Sequence, residues 1–243
     1  MKIIKLNATD STNSYLKQLA KETRLQDKTV VVAEIQLSGR GQMGNGWVSR
    51  KEESLTFSVF KEFSGLFANR QFILSMAVSL AISEVLRGLN VPNIAVKWPN
   101  DIMSANKKIG GILIENVLEG SSVKYAVIGI GLNLNETDFP NLPQASSMKL
   151  ETGSHFNLDE VLNLVLKSVF RKLENLSVQD FSEMKKHYEN NLFQKDKVSV
   201  FENPDGLRFN GIIKGVSEIG ELLMETEVTS LKKFQLKELK FIY

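Results

Sequence analysis

The residue types best suited to chemistry lie in the segment 96–101, VKWPND, and in the segment 108–115, KIGGILIE, which follows after a short polar gap. The first presents a lysine, an aromatic ring, an amide and a carboxylate, and the second opens an apolar strand with Lys108. Pro99 has no backbone donor and biases Trp98 away from helix, so a polar turn is predicted to begin here. A surface turn explains the proline, the amide and the carboxylate. It does not explain the lysines on either side, so the spacing indicates a functional site.

A second set of such residues lies at 38–47, SGRGQMGNGW, directly after the β-branched segment 31–36. Four glycines within eight residues predict a mobile loop whose amides can approach an anion, and Arg40 adds a forked donor for phosphate or carboxylate. Trp47 can fold the loop over a flat ring. The loop lacks the Gly-Lys-Ser/Thr of a Walker motif, and no helix pattern follows it as a Rossmann fingerprint requires. An ordinary flexible surface loop explains the glycines equally well.

Hydrophobic periodicity predicts the elements that position these segments. Helices are predicted at 11–24 with Asp10 or Ser11 as N-cap, at 69–90, at 157–175 with Asn157 as first residue, and at 178–190. Strands are predicted at 31–36, 54–60, 94–98, 109–118 and 123–134, with a hairpin turn at 119–122. Residues 135–148 are predicted to form a long loop, and loops of that length are often functional.

After residue 190 the pattern changes to short strands, predicted at 197–201, 207–216, 221–227 and 233–242. The sequence NPDG at 203–206 is a strong turn signal between the first two. These strands predict a compact barrel, and the alternative is that they extend the main sheet.

Composition bounds the function. A chain of 243 residues with 42% hydrophobic content can bury one substantial core and one small satellite domain. A formal charge of +2 is too small to predict bulk attraction to nucleic acid or to a membrane. The absence of cysteine excludes disulfides, thiolate chemistry and zinc-thiolate sites and fits a reducing cytoplasm. We expect neither a signal peptide nor a membrane span, since no apolar stretch approaches the required length.

Together these segments resemble the biotin protein ligase family. Five segments carry the resemblance in the family's order: DSTNSYL at 10–16, GRG at 39–41, KWPND at 97–101, KIGGILIE at 108–115 and IGIGLNLN at 128–135. Their joint occurrence is far more specific than any one of them. The resemblance implies an α+β fold, with a mixed, mainly antiparallel sheet packed by helices as in class II aminoacyl-tRNA synthetases. It implies a catalytic domain over residues 1–190 and an SH3-like β-barrel over residues 191–243.

The resemblance implies ATP and biotin as substrates, with Mg²⁺ on the phosphates. Biotin would be activated to biotinyl-5'-AMP and then transferred to a lysine of a biotin carboxyl carrier protein. Lys108 and Arg40 would neutralise the repulsion between the two anionic substrates. Asp101 is our candidate for receiving the proton of the acceptor lysine, and capping of the turn is an equal alternative for it.

The family's binding roles carry over to matching positions. Biotin is expected to contact residues of the first helix and the glycine loop together with three residues of the strand segments: Ser11, Thr12, Asn13, Gln36, Gly39, Arg40, Lys108 and Gly111. ATP and the adenylate are expected to contact Arg40, Gly41, Gln42, Trp47, Lys97, Asn100, Asn133 and Asn135. A helix cap explains Ser11 to Asn13 as well. The sequence assigns no magnesium ligand.

Two features depart from the family's bifunctional repressor members. Gln42 stands where those members carry a second arginine, which predicts looser closure of the loop and faster release of the adenylate. Nine residues precede Asp10, where the repressors have a helix-turn-helix domain, so we expect a cytoplasmic ligase with no DNA or membrane partner. The resemblance leaves a homodimer open. The alternatives are a lipoate-protein ligase-like acyl transferase and a non-catalytic biotin or adenylate sensor.

Overall fold

The structure is a computed structural model and describes residues 1–174, 176, 180–228 and 230–242. Its larger sheet has seven strands: β1 Lys2–Thr9, β2 Thr29–Gln36, β3 Ser54–Glu62, β4 Ile94–Lys97, β5 Asp101–Ser104, β6 Lys107–Glu119 and β7 Ser122–Asn133. They lie in the order β1-β2-β3-β7-β6-β5-β4, and the pairing of β1 with β2 is parallel while the other pairings are antiparallel. The expected mixed, mainly antiparallel sheet is confirmed.

Five helices accompany this sheet in the described part of the chain: α1 Thr12–Glu22, α2 Phe72–Gly88, α3 Met148–Thr152, α4 Leu158–Glu174 and α5 Asp180–Asn190. The predicted cap of the first helix is confirmed, because the Ser11 side chain accepts a hydrogen bond from the Ser14 amide. Asn157 likewise accepts from the Glu160 amide at the start of α4. The predicted last residue of the helix 157–175 and the predicted first residues of the helix 178–190, 178 and 179, lie outside the described residues.

The sheet separates two apolar layers because side chains alternate along its strands. Phe57 and Val59 of β3 belong to the large core cluster that contains α2 and α4, whereas Phe60 packs with Leu16 of α1 in a smaller cluster. The polar Ser58 faces the same side as Phe60, next to the first turn of α1. The α1 side of the sheet is therefore the side that can carry a polar site.

Helix α2 corrects the expectation that no apolar stretch approaches the length of a membrane span. Together with the preceding turn it spans Ala68–Gly88, which is long and apolar enough by length and composition to cross a membrane. Most of its apolar window is buried inside the fold, and Leu74, Met76 and Val78 are fully buried in the main core. These contacts with the sheet and α4 account for its composition.

The C-terminal strands form a sheet of their own: β8 Val198–Glu202, β9 Arg208–Val216, β10 Leu222–Thr226, β11 Lys232–Phe234 and β12 Lys240–Ile242, in the order β11-β10-β9-β8-β12. The alternative that they extend the main sheet is wrong, and the separate antiparallel sheet is consistent with an SH3-like domain. Phe201, Ile213 and Val216 are nevertheless buried in the same core cluster as α2. Residue Val96 of β4 also exchanges backbone hydrogen bonds with Asn191 and Phe193, 2.7 and 2.9 Å long. The second sheet thus shares the main core, and the segment that leads into it is hydrogen-bonded to the first sheet.

Three elements were missed by the sequence patterns. Strand β5 escaped because Ile102 and Met103 are both fully buried, so its four residues do not alternate. Strand β1 lies at the sheet edge with mixed exposure. Helix α3 is a single short helix inside the predicted loop, and the predicted final strand 233–242 is divided into β11 and β12 by a turn in which Lys237 has φ +78°.

Candidate active site

A cavity of about 800 Å³ opens on the α1 side of the larger sheet and is closed at its rim by the C-terminal sheet. Most of the site residues predicted from the sequence line it: Ser11, Thr12, Asn13, Gln36, Arg40, Gly41, Gln42, Trp47, Lys97, Asn100, Asp101, Lys108 and Gly111. Gly39, Asn133 and Asn135 are outside this lining. The fold therefore brings four separated segments of the chain to one concave surface.

Strand register explains how the floor of the cavity forms. Thr56 of β3 pairs with Gly131 of β7, Gly131 with Gly111 of β6, Gly111 with Asp101 of β5, and Asp101 with Lys97 of β4. Because paired residues of adjacent strands face the same side, these five form one row across the sheet. The second and third positions of the row, Gly131 and Gly111, are glycines, so the backbone itself forms the floor there.

Trp47 lies over this glycine floor. A methyl group on Gly131 would overlap with the indole ring, and one on Gly111 would lie 3.4 Å from the ring carbon Cζ3. The indole Nε1 is buried and has no hydrogen-bond partner among the described residues. Sequence reasoning did not assign Gly129 and Gly131 to the site, although a glycine inside a strand signals close approach of another group.

Lys108 and Asp101 form an ion pair at the edge of the floor, with Nζ and Oδ1 2.6 Å apart. Lys108 lies three residues from Gly111 and would face the opposite side of a regular strand. A register shift between Ile102 and Met103 interrupts the pairing of β5 with β6, and Lys108 Nζ lies 3.6 Å from the Cβ that a side chain at Gly111 would have. The bulge thus brings the lysine onto the cavity side.

Lys97 is a second lysine beside Asp101. Burial lowers the pKa of Lys97, and the charge of Asp101 opposes that shift. Its Nζ lies 5.5 Å from the centre of the Phe241 ring, which belongs to β12 of the second sheet. Asp101 begins β5 and faces Lys108, while the turn before it, which contains the cis Trp98–Pro99 bond, is tied to β6 through Asn100. The Asn100 side chain donates to the Ile112 carbonyl at 2.6 Å, and the Ile112 amide donates to the Asn100 carbonyl at 3.0 Å.

A polar network surrounds the start of α1. The side-chain oxygen of Gln36 lies 2.8 Å from the backbone nitrogen of Thr12 and 3.1 Å from its hydroxyl. Because this oxygen faces the helix, the side-chain NH₂ group of Gln36 is directed away from it. Ser58 Oγ lies 2.7 Å from Thr12 Oγ1 and 2.5 Å from Asn13 Oδ1. The Asn13 NH₂ group donates to the Glu115 carboxylate at 3.0 Å. The residues that cap helix α1 therefore also form part of the cavity wall.

The glycine loop is folded as a small closed turn. The Gly41 amide donates to the Asn45 carbonyl at 2.7 Å, and the Trp47 amide donates to the Gly39 carbonyl at 2.8 Å. A methyl group on Gly39 would overlap with the Trp47 carbonyl, so this position requires glycine. In this conformation the backbone bonds set the relative positions of Arg40 and Trp47, and the mobility predicted from the glycines stays a prediction.

Asn133 and Asn135 are used to hold loops. Asn133 donates to the Ser146 carbonyl at 3.0 Å, and Asn135 exchanges hydrogen bonds of 2.8 and 2.9 Å with the backbone of Phe156. These contacts fasten the loop after β7, so the structure does not bring the two amides into the cavity. Trp98 lines the cavity and also packs on the core, with its Nε1 donating to the Gly220 carbonyl at 2.9 Å.

The second sheet contributes a rim that no sequence pattern indicated: Glu202, Asn203, Lys237, Lys240 and Phe241. Local periodicity predicts strands and cannot register one sheet against another, so these residues had no signal. The rim adds two more cations to a cavity that already contains Arg40, Lys97 and Lys108. An anionic ligand with an apolar portion fits such a surface.

Comparison with known proteins defines the class. The model of the Biotin/lipoate A/B protein ligase family matches residues 6–133, more than half of the chain, and the chain belongs to this family. The bifunctional ligase/repressor BirA of Escherichia coli is 26% identical over 226 residues, which cover 91% of this chain and 68% of that protein. The biotin–[acetyl-CoA-carboxylase] ligase of Paracoccus denitrificans is 28% identical over 228 residues, covering 90% of this chain and 92% of that one.

Among solved structures, the biotin protein ligase from Aquifex aeolicus in complex with biotin and ATP superposes with a TM-score of 0.80 at 28% identity. The match covers 99% of this chain and 98% of that chain. The two-sheet fold described above is thus the fold of a biotin protein ligase.

Proposed function

We propose that this protein is an ATP-dependent biotin protein ligase, which activates biotin to biotinyl-5'-AMP and transfers it to a lysine of a biotin carboxyl carrier protein. The observation that carries the proposal is the meeting of Arg40, Lys97 and Lys108 in one cavity whose floor is apolar and glycine-rich and whose inner wall is the polar start of α1. The three cations supply charge for two anionic substrates. The apolar floor and the polar wall fit an apolar molecule with a polar head.

In the first reaction, a biotin carboxylate oxygen attacks the α-phosphorus of ATP, a P–O bond forms and pyrophosphate leaves. Two anions must approach each other, and each unit cation about 4 Å away offsets about 4 kcal/mol at an effective dielectric constant of about 20. Lys108 and Arg40 are the cations we assign to this task. Lys108 exchanges Asp101, its partner at 2.6 Å in this structure, for the substrate anion.

In the second reaction, the acceptor lysine amine attacks the acyl carbon, a C–N bond forms, the bond from that carbon to the phosphate oxygen breaks and AMP leaves. The amine must lose a proton. Once Lys108 has turned to the phosphate, Asp101, the carboxylate beside it, can receive this proton. The ion pair therefore keeps the base neutralised until the first substrate has bound.

Mg²⁺ is proposed as the companion of the triphosphate, since it retains several waters and needs one or two protein oxygens. Glu202 is a carboxylate in the cavity lining that fits this need. The ion supplies charge neutralisation on the phosphates when bound. A cytoplasmic location, a homodimeric state and the lack of a DNA or membrane partner remain expectations from the sequence.

The proposal is tested by transfer of labelled biotin to a purified biotin-carrier domain in the presence of ATP and Mg²⁺, beside Lys108→Ala and beside labelled lipoate in place of biotin. We expect transfer of biotin that is lost in the variant. Transfer of lipoate in preference to biotin, or binding of biotin without adenylate formation, would contradict the proposal and favour the acyl transferase or the sensor, respectively.

A further inference from the structure

Glu115 on β6 lies just outside the cavity lining, at the junction of the sheet, α1 and the glycine loop. Its oxygen Oε1 is 2.8 Å from Lys17 Nζ and 3.5 Å from an Nη atom of Arg40, and its Oε2 accepts from the Asn13 side chain at 3.0 Å. The Glu115 side chain is 19% exposed. One oxygen of a mostly buried side chain is thus shared by two cations, one on α1 and one on the glycine loop.

The two cations are held unequally. Lys17 stands four residues after Asn13 on the same face of α1 and makes a short hydrogen-bonded ion pair. Arg40 is 51% exposed, approaches the carboxylate less closely and donates to Ser14 Oγ at 3.4 Å. Since Arg40 also lines the cavity, it has two alternative anions, the Glu115 carboxylate and an anion in the cavity.

We propose that Glu115 is a positioning residue that holds Arg40 in a waiting position in the ligand-free protein, and that Lys17 keeps the carboxylate neutralised after Arg40 has turned to the substrate. This inference rests on the proposed function, because the anion that draws Arg40 away is the phosphate of ATP or of the adenylate.

The charge of Lys17 makes the exchange feasible. Removing one partner of a buried ion pair is strongly destabilising because it leaves an uncompensated charge. Here burial opposes ionisation of Glu115, but the hydrogen bonds from Lys17 and Asn13, with the charges of Lys17 and Arg40, outweigh it and lower its pKa. The carboxylate is therefore anionic at neutral pH, and the Lys17 pair persists when Arg40 leaves.

The proposal predicts opposite effects of two substitutions on the KM for ATP in biotinyl-adenylate formation. Glu115→Gln removes the negative charge that holds Arg40 and keeps one side-chain oxygen, which can accept from either Lys17 or Asn13, so KM should fall about two- to five-fold, the range of a partly exposed ion pair. Lys17→Met leaves Arg40 as the remaining cation on Glu115, so KM should rise by a similar factor. The double variant should behave as Glu115→Gln, and Lys17→Arg should restore the native value.

A merely structural Glu115 gives a different result. Loss of either side of a structural bridge would raise KM in both variants, and this outcome overturns the proposal. Should Glu115→Gln fail to fold, Ser14→Ala removes the other contact of Arg40 without touching Glu115 and should also lower KM. A rise or no change with Ser14→Ala in that case overturns the proposal.

A measurement without chemistry separates this inference from the proposed function. The guanidinium signal of Arg40, assigned by its loss in Arg40→Lys, is followed by NMR in the ligand-free protein. We expect restricted rotation of the guanidinium in the native chain and fast rotation in Glu115→Gln. Equal rotation in both overturns the waiting position even if the ligase is active, whereas a native chain that shows the restriction but forms no adenylate refutes the proposed function instead.

Discussion

The cavity holds its two proposed catalytic cations in contrasting ways. Lys108 is on β6 and its partner Asp101 on the adjacent β5, so both are set by the sheet, and they lie 2.6 Å apart. Arg40 is on the glycine loop and lies 3.5 Å from Glu115, which it shares with Lys17. One pair is close and lies on two adjacent strands, and the other is long and shared with a third residue. We infer that the sheet supplies the constant part of the site and the loop the part that closes on a ligand.

The largest effect should follow from loss of the fixed cation. Lys108→Ala is expected to lower the rate of adenylate formation about 10²- to 10³-fold, the usual range for one preorganised charge on a transition state. Lys107→Ala is the matched control, since Lys107 donates to the Pro143 carbonyl outside the cavity lining. Pyrophosphate release measures both. A loss in Lys107→Ala equal to that in Lys108→Ala would mean that the strand, rather than the ammonium group, was affected.

The partner of that cation should act at the second step. Asp101→Asn preserves the shape of the side chain but removes the proton acceptor, so we expect adenylate to form at a near-native rate and transfer to the carrier to slow by about 10²-fold. Single-turnover transfer from preformed biotinyl-5'-AMP isolates this step. Native transfer in the variant would reject Asp101 as the base and leave it the role of holding Lys108.

The glycine floor connects the two regions, because Trp47 of the loop rests on Gly131 of the sheet. Gly131→Ala should displace the indole and raise the Kd for biotin about tenfold, since overpacking costs about 1–3 kcal/mol. Gly46→Ala in the same loop is the control, because its added methyl group would have nothing closer than 3.9 Å. Titration with biotin, followed by tryptophan fluorescence, compares them. Equal affinities would show that Trp47 can move aside freely.

Acid should weaken the stabilising contacts that Glu115 makes beside the glycine loop. Its pKa is lowered in the folded protein, so its stabilising contribution is present above the usual pKa of a glutamate, about 4.3, and is lost as the pH falls through the folded pKa. The difference in unfolding free energy between the native chain and Glu115→Gln should therefore be largest at neutral pH and shrink below about pH 4. Urea unfolding at several pH values measures it. A difference that grows in acid would contradict the direction of the shift.

The same contrast explains what the sequence could predict. Helices α1, α2 and α4 and the hairpin of β6 with β7 have strong local patterns, α1 and α4 also have side-chain N-caps, and all were predicted within a few residues. The positions of Arg40, Lys108 and Asp101 in one cavity followed from motif resemblance. Local patterns carried no signal for the bulge that turns Lys108 inward, for the pairing of Glu115 with the loop, or for Phe241 over Lys97. Each of these depends on register or on contacts between distant segments.

The smallest predicted effect concerns Gln42, which lines the cavity from the loop. Replacing it by arginine adds a second cation to the region that we regard as adjustable, so the loop should close more firmly on the adenylate. A partly exposed charge contributes about 0.2–1 kcal/mol, and we therefore expect release of biotinyl-5'-AMP in the absence of carrier to slow up to about fivefold. Gln144→Arg, on the opposite lining segment beside Lys108, controls for added charge alone. Equal slowing in both variants would mean that retention follows the total charge of the cavity, and slowing by Gln42→Arg alone would place it in the loop.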